Sequence, residues 1–475
     1  MTGAPGALDV DDIAARRERW IVWIVSACVF VSVVNTSMVN VALPTIGDHF
    51  NADEARVGWI VTIYALAFGV GTPFYGRLGD RYGLRRMFVI GLCVFVVASV
   101  LAGVAAGFGF LLACRALQAA GSAAIPSLGT AMIARAVPFE RRGWALGLTS
   151  VAVGAGSALG PTLGGVLTQF ASWRMVFLIS ALLGLLVPLT VRYLPEGPGS
   201  RRDGIDWFGG VTLGMTIAGI MLAVAGAQRQ GPSSSFVLIS VSVAILGAAL
   251  TVWRQRVAPQ PFVDHILVQN RRYLLLCAIG FCTMAGNIGA LVITPFLFRD
   301  INGLSAGQIG LAMLPAAVAV AILSRPVGSL ADRIDPFLLV IAGLVVTLAA
   351  LSVMALVGIG WPVAAFALLA MFVGVGQALI SAPLAVMLTR SVPQRAYGVG
   401  LGVFNMMFFV GSGFGAALST ATLAARRGAE QPLLPVYAGS AQFIEFSDAF
   451  IPCIALFALA LALTLFARRA KPVAE

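Results

Sequence analysis

Between residues 20 and 467 the chain is a succession of apolar runs separated by short basic or glycine-rich segments. A helical run of about 20 residues covers a hydrocarbon layer roughly 30 Å thick. In such a layer every backbone N–H and C=O must find its partner within the protein. Only helices and closed barrels achieve that. A barrel is built from segments of about ten residues with alternating polarity, and these are absent. The sequence therefore predicts an all-α membrane protein. Composition agrees, since 11% of the 475 residues are charged, where a soluble domain carries about 25%.

About fourteen spans can be drawn, so both termini lie on one side. About 24 Lys and Arg residues then fall on that side, about 6 on the other, and Arg115 inside a span. This asymmetry predicts cytoplasmic termini in a multi-pass protein of the cell (inner) membrane. The net charge of +11 sits in short loops; it fits anionic headgroups of the lipid bilayer and gives no reason to expect a nucleic-acid partner. Residues 1–15 are small and acidic and are expected to be disordered. Trp20 to Ala42 runs into a polar stretch rather than a small-residue cleavage site, so it is expected to stay as a membrane helix. The six cysteines all lie in apolar runs and read as buried structural thiols. No metal-ligand spacing, nucleotide loop or catalytic cluster is visible, so neither a cofactor nor an enzyme activity is expected.

An internal repeat appears at an offset of about 255 residues. Arg135-Ala-Val-Pro138 with Gly143 matches Arg390-Ser-Val-Pro393 with Gly398, and Gly156 and Gly160 match Gly411 and Gly415. The segment Gly76–Arg86 has a degraded echo ending in Asp332 and Arg333, eight spans later. Two six-helix pseudo-repeats with two inserted helices, 206–228 and 234–253, produce that displacement. The expected division is a tail 1–19, a bundle 20–195, inserts and linker 196–256, a bundle 257–467 and a tail 468–475.

Two local features carry chemistry. In Gly76–Arg86, Asp80 is one of few acids near the bilayer and lies among Arg77, Arg81, Arg85 and Arg86, with Gly83 between. Glycines permit a tight turn and close backbone crossing. An Asp facing arginines and a neighbouring helix N-terminus makes a charged latch. A plain topology anchor is the other reading. The second feature is Arg115, which costs about 2.5–3.5 kcal/mol in hydrocarbon and so needs a partner or an aqueous face. It either organises a polar network with Gln118 one turn on, binds an anionic group, tunes a proton site, or snorkels to the surface.

These residues resemble the fourteen-span drug:proton antiporter family of the major facilitator superfamily, including its Gram-positive tetracycline and multidrug exporters. Gly76, Leu78, Asp80, Arg81, Gly83, Arg85 and Arg86 match the family's loop signature. Asn35, Thr36 and Asn40-Val-Ala-Leu-Pro44 resemble its first-helix signature, and Arg115, Gln118 and Gly121 its fourth. Gly156, Gly160, Pro161, Gly164 and Gly165 match the fifth-helix exporter signature in full. Glycines four apart let another helix come close, and Pro161 invites a bend. A role at the seam where the two halves rock is what the resemblance implies.

Asn35 departs from the family, many members of which carry there a carboxylate that binds a proton or a cationic drug. An amide does not titrate. Proton coupling then rests on a peripheral acid such as Asp300 or on an acid linked to Arg115. Thr36, Asn287, Gln377 and Asn405 are candidate hydrogen-bonding pocket residues, with Phe404, Met406, Met407, Phe408 and Phe409 as adaptable lining. The expected protein is a monomeric exporter of amphipathic small molecules, exchanging them for protons. The alternative is an uncoupled or differently coupled carrier of an anionic or neutral metabolite.

Overall fold

The computed structural model describes residues 10–469 except 53, 195, 197–203, 232, 305, 359–360, 429–430 and 434–442. It is all helical, and no strand occurs among the described residues. Among the described residues, thirteen helices are long and apolar enough to cross a membrane. A further 29-residue helix, Arg142–Phe170, lies between the fourth and fifth of them and brings the set to the expected fourteen. In chain order they are α1 Val10–Phe50, α2 Glu54–Tyr82, α3 Leu84–Gly103, α4 Phe108–Ala136, α5 Arg142–Phe170 and α6 Arg174–Tyr193. The inserts follow as α7 Trp207–Gln230 and α8 Ser235–Val257. The second set is α9 Arg271–Asp300, α10 Ala306–Ala331, α11 Pro336–Leu356, α12 Val363–Ser391, α13 Tyr397–Ala425 and α14 Ile444–Arg469.

Within the first half α1 packs on α5, α3 on α4, and α2 on α4; the second half repeats this with α9 on α13, α11 on α12, and α10 on α12. The halves meet along two seams, α2 against α13 and α5 against α10. These are the same contact written twice by the repeat. The inserted hairpin breaks the symmetry. Its α7 lies on both α2 and α13, burying Ile217 with Met406 and Val410, while α8 packs chiefly on α7.

Two local expectations are corrected. The helix of α1 begins at Val10, so the acidic stretch Val10–Ala15, expected to be disordered, forms its first turns; residues 1–9 lie outside the described residues. The tight turn expected over Gly76–Arg86 is shorter than drawn. Helix α2 continues to Tyr82, and Gly83, at φ 97°, is the one non-helical residue before α3. Glycine takes that conformation without steric cost, so one residue reverses the chain. Five of the six cysteines are buried as expected; Cys93 is exposed on α3.

The fifth-helix glycines also have a different neighbour from the one expected. A Cβ added at Gly164 would stand 2.8 Å from the Met38 backbone, and one at Gly156 3.1 Å from the Phe30 carbonyl. Gly160 faces Ser37. The motif therefore seats α5 on α1 inside the first half, and not on the seam. Its repeat does likewise, with Gly411 and Gly415 against Phe281 and Ala285 of α9. The helix runs unbroken through Pro161, whose side chain lies outside the described residues. Gly165 is open, the nearest atom to an added Cβ being Val41 Cγ1 at 3.9 Å. Gly164→Ala should destabilise by about 1–3 kcal/mol, as over-packed contacts do, while Gly165→Ala should be neutral or slightly stabilising. Thermal unfolding of the two variants in detergent checks this; equal Tm values would contradict the assigned packing.

Candidate functional site: two capped seams and a buried arginine network

The seams close at the end that carries Asp80. The backbone N–H groups of Gly398 and Val399, in the first turn of α13, donate to the Asp80 carboxylate at 3.0 and 2.9 Å. Across the pseudo-twofold axis the N–H groups of Gly143 and Trp144, in the first turn of α5, donate to Asp332 at 2.7 and 3.1 Å. Each carboxylate thus caps a helix of the opposite half. The first N–H groups of a helix have no intrahelical acceptor and carry the positive end of its dipole, so a carboxylate there meets both needs. The backbones touch at the same places. A Cβ at Gly76 would collide with the Gly398 carbonyl, and one at Gly143 with that of Gly328.

A second layer comes from the Arg-x-Val-Pro loops. Arg135 pairs with Asp80 at 3.2 Å and donates to the Gln394 carbonyl at 3.0 Å. Arg390 lies over the Phe139 ring at 4.4 Å. Arg142 approaches the Tyr397 hydroxyl, its repeat counterpart, at 3.4 Å. Half-buried Asp332 is pushed above the usual carboxylate range by burial, opposed by its two backbone donors and by the charge of Arg390.

The arginines nearest Asp80 in sequence are therefore not its salt-bridge partner. Arg81 stacks on its neighbour Tyr82, and Arg85 turns to the Val191 and Leu194 carbonyls and to Glu196. Arg86 and Arg333 are exposed. Sequence reading missed Arg135, whose signal was present: it opens the repeated loop that has Arg390 at the matching place.

Arg115 sits in the core of the first half, 1% exposed. It donates to Asn35 Oδ1 at 3.3 Å and to Gln118 Oε1, and lies over the Tyr64 ring at 4.2 Å. Asn35 donates on to Ser180 at 2.8 Å and Gln118 to Ser99 at 2.6 Å. Tyr64 donates to Ser122, which shares a hydrogen bond with Ser32. Five helices, α1, α2, α3, α4 and α6, supply this network. Arg115 does not snorkel.

The other candidates do not join it. The Thr36 hydroxyl donates to the Ser32 carbonyl in its own helix, and Asn40 is exposed. Asn287, Gln377 and Asn405 are half-buried in the second half, and Gln377 Oε1 is buried without a partner. Asp300 is exposed and pairs with adjacent Arg299. At mid-height the Phe68 and Phe409 rings meet at 4.2 Å, joining α2 to α13.

Two six-helix repeats, closed against each other at one end, define a membrane transporter rather than an enzyme. The chain belongs to the Major Facilitator Superfamily, whose family model matches residues 25–416. It is 30% identical over 408 residues to the multidrug resistance protein Stp of Mycobacterium tuberculosis, spanning 83% of this chain and 74% of that protein. It is 26% identical over 406 residues to the riboflavin transporter RibZ of Clostridioides difficile, spanning 84% and 88%. The crystal structure of the human organic anion transporter MFSD10 (TETRAN) shares the fold, with a TM-score of 0.68 at 17% identity, over 94% of this chain and 99% of that one.

Asn35→Leu removes one of the two oxygen acceptors of a buried cation, and should destabilise the fold by about 1–3 kcal/mol. Adding Arg115→Met should recover a large part of that loss. Thermal unfolding of the single and double variants checks the coupling; additive losses would disprove it.

Proposed function

We propose that the chain is a secondary active exporter of amphipathic small molecules in the cell (inner) membrane, working by alternating access with proton exchange. The observation that carries this reading is the pair of capped seams. Asp80 and Asp332 each hold a helix of the other half by two backbone hydrogen bonds. Such bonds are made in one orientation of the halves and lost in the other, so each seam acts as a two-state latch. Gly76, Gly83, Arg81, Arg85, Arg86 and Arg333 frame the two latch segments. The rigid units are residues 20–195 and 257–467, joined by 196–256. The basic loops support a cytoplasmic position for the latched end and both termini. The resemblance to Stp and the full exporter signature on α5 support efflux of drug-like compounds. One charge moved through 100 mV is worth about 2.3 kcal/mol, enough for about a fifty-fold gradient per proton.

A second reading is favoured by one observation. Asn35 is an amide, and no salt bridge joins Arg115 to a carboxylate among the described residues. On this reading the protein is an uncoupled or differently coupled carrier of an anionic or neutral metabolite.

Flux into proteoliposomes of a small panel of amphiphiles, with and without an imposed pH gradient, separates the two. Coupled export requires flux that follows the gradient; unchanged flux after its collapse selects the second reading. Asp80→Asn with Asp332→Asn should cut flux at least about tenfold, since each substitution weakens a charge-assisted cap, and should leave Tm within a few degrees of wild type. Full flux in the double variant would remove the latch from the mechanism.

A further inference from the structure

Among the described residues Arg115 is the most deeply buried arginine; Arg142, 9% exposed at the seam, bonds the Val137 carbonyl and the Tyr397 hydroxyl, while the buried acids each have an arginine. Asp80 has Arg135, Asp206 has Arg254, Asp448 has Arg426 and Glu18 has Arg141, each within 3.2 Å. Arg115, at 1% exposure, has neutral acceptors only. A guanidinium offers five N–H donors. The bonds formed here use Nη1 toward Asn35 and Gln118, and Nε is buried without a partner. A buried cation is tolerated when an anion and further hydrogen bonds compensate it, and among the described residues no carboxylate pairs with Arg115.

The surroundings say what kind of anion fits. Tyr64 covers the guanidinium at 4.2 Å and Phe177 lies 5.8 Å from it. Tyr64 stacks on Phe68 at 6.1 Å, and Phe68 touches Phe409 of the opposite half at 4.2 Å. A charged end beside an aromatic wall suits a carboxylate or sulfonate carried on an apolar body. The wall is also the gate. Tyr64 and Phe68 are one turn apart on α2, the helix that parts from α13 when the Asp80 cap is released. Only the first repeat is built this way, because Ala370 stands 255 residues after Arg115.

We propose that Arg115, with Asn35 beside it, is the anion subsite of the transport pathway and selects acidic amphiphiles. This rests on the exporter reading and adds the charge class of the cargo. Asn35 leaves the charge of Arg115 uncompensated, since a carboxylate there would neutralise Arg115 from within the protein.

The test uses purified protein in nanodiscs and two fluorescent probes of equal body, dansylglycine and its uncharged amide. Wild type should bind the acid about tenfold or more tightly than the amide, as a charge-assisted contact predicts. Arg115→Lys should keep a preference. Arg115→Gln and Asn35→Asp should bring the two probes within about twofold, with Tm near that of wild type; should Arg115→Gln fail to fold, Asn35→Asp carries the test. Wild type showing no preference, or binding neither probe, overturns the proposal, as does a preference that survives Asn35→Asp. Displacement of dansylglycine by chloride exchanged for gluconate would assign the site to inorganic anions and overturn it too. Flux of both probes without charge preference sinks this subsite and leaves the exporter reading standing. Charge-selective binding without flux of either probe sinks the exporter reading alone.

Discussion

The arrangement of the two halves depends on an unmet need of the α-helix. A helix begins with N–H groups that have no acceptor of their own. For α5 and α13 those groups open at the seams, where water competes poorly. Each is satisfied by a carboxylate from the last turn, or just beyond the end, of a helix in the other half. The bonds are strong because they combine charge, dipole and geometry. Each carboxylate reaches across the seam between the halves rather than within one of them. Reciprocal glycines at Gly76 and Gly398, and at Gly143 and Gly328, let the backbones come close enough for the caps to form.

Symmetry explains the closure, and departures from symmetry explain the rest. The same loop occurs twice, so Arg135 and Arg390 stand at matching places, yet one pairs with Asp80 while the other lies on Phe139. The buried network of the first half, where five helices converge on Arg115, has no counterpart at the matching place of the second. The matching position of the second half is Ala370. The inserted hairpin adds a further inequality. Helix α7 covers the α2–α13 seam through Ile217, Met406 and Val410, whereas α5 and α10 keep exposed apolar side chains such as Val153, Leu311 and Ile322.

Much of this was legible in the residues. Apolar run length and the placement of arginines determine an all-helical membrane bundle of about fourteen spans, because hydrocarbon tolerates no unpaired backbone. The repeated Arg-x-Val-Pro and glycine spacing determines two related halves, and the singular charges Asp80 and Arg115 mark where chemistry gathers. What tertiary structure alone decided is which groups meet. Arg81 and Arg85 are Asp80's neighbours in sequence, but the helical turn carries them elsewhere and the last turn of α4, 55 residues on, delivers Arg135. The exporter glycines present a small-residue face whose partner no spacing names, and packing assigns it to α1. Sequence carries periodicity and composition; the choice among several equally apolar neighbours is made only when all the helices compete for the same space.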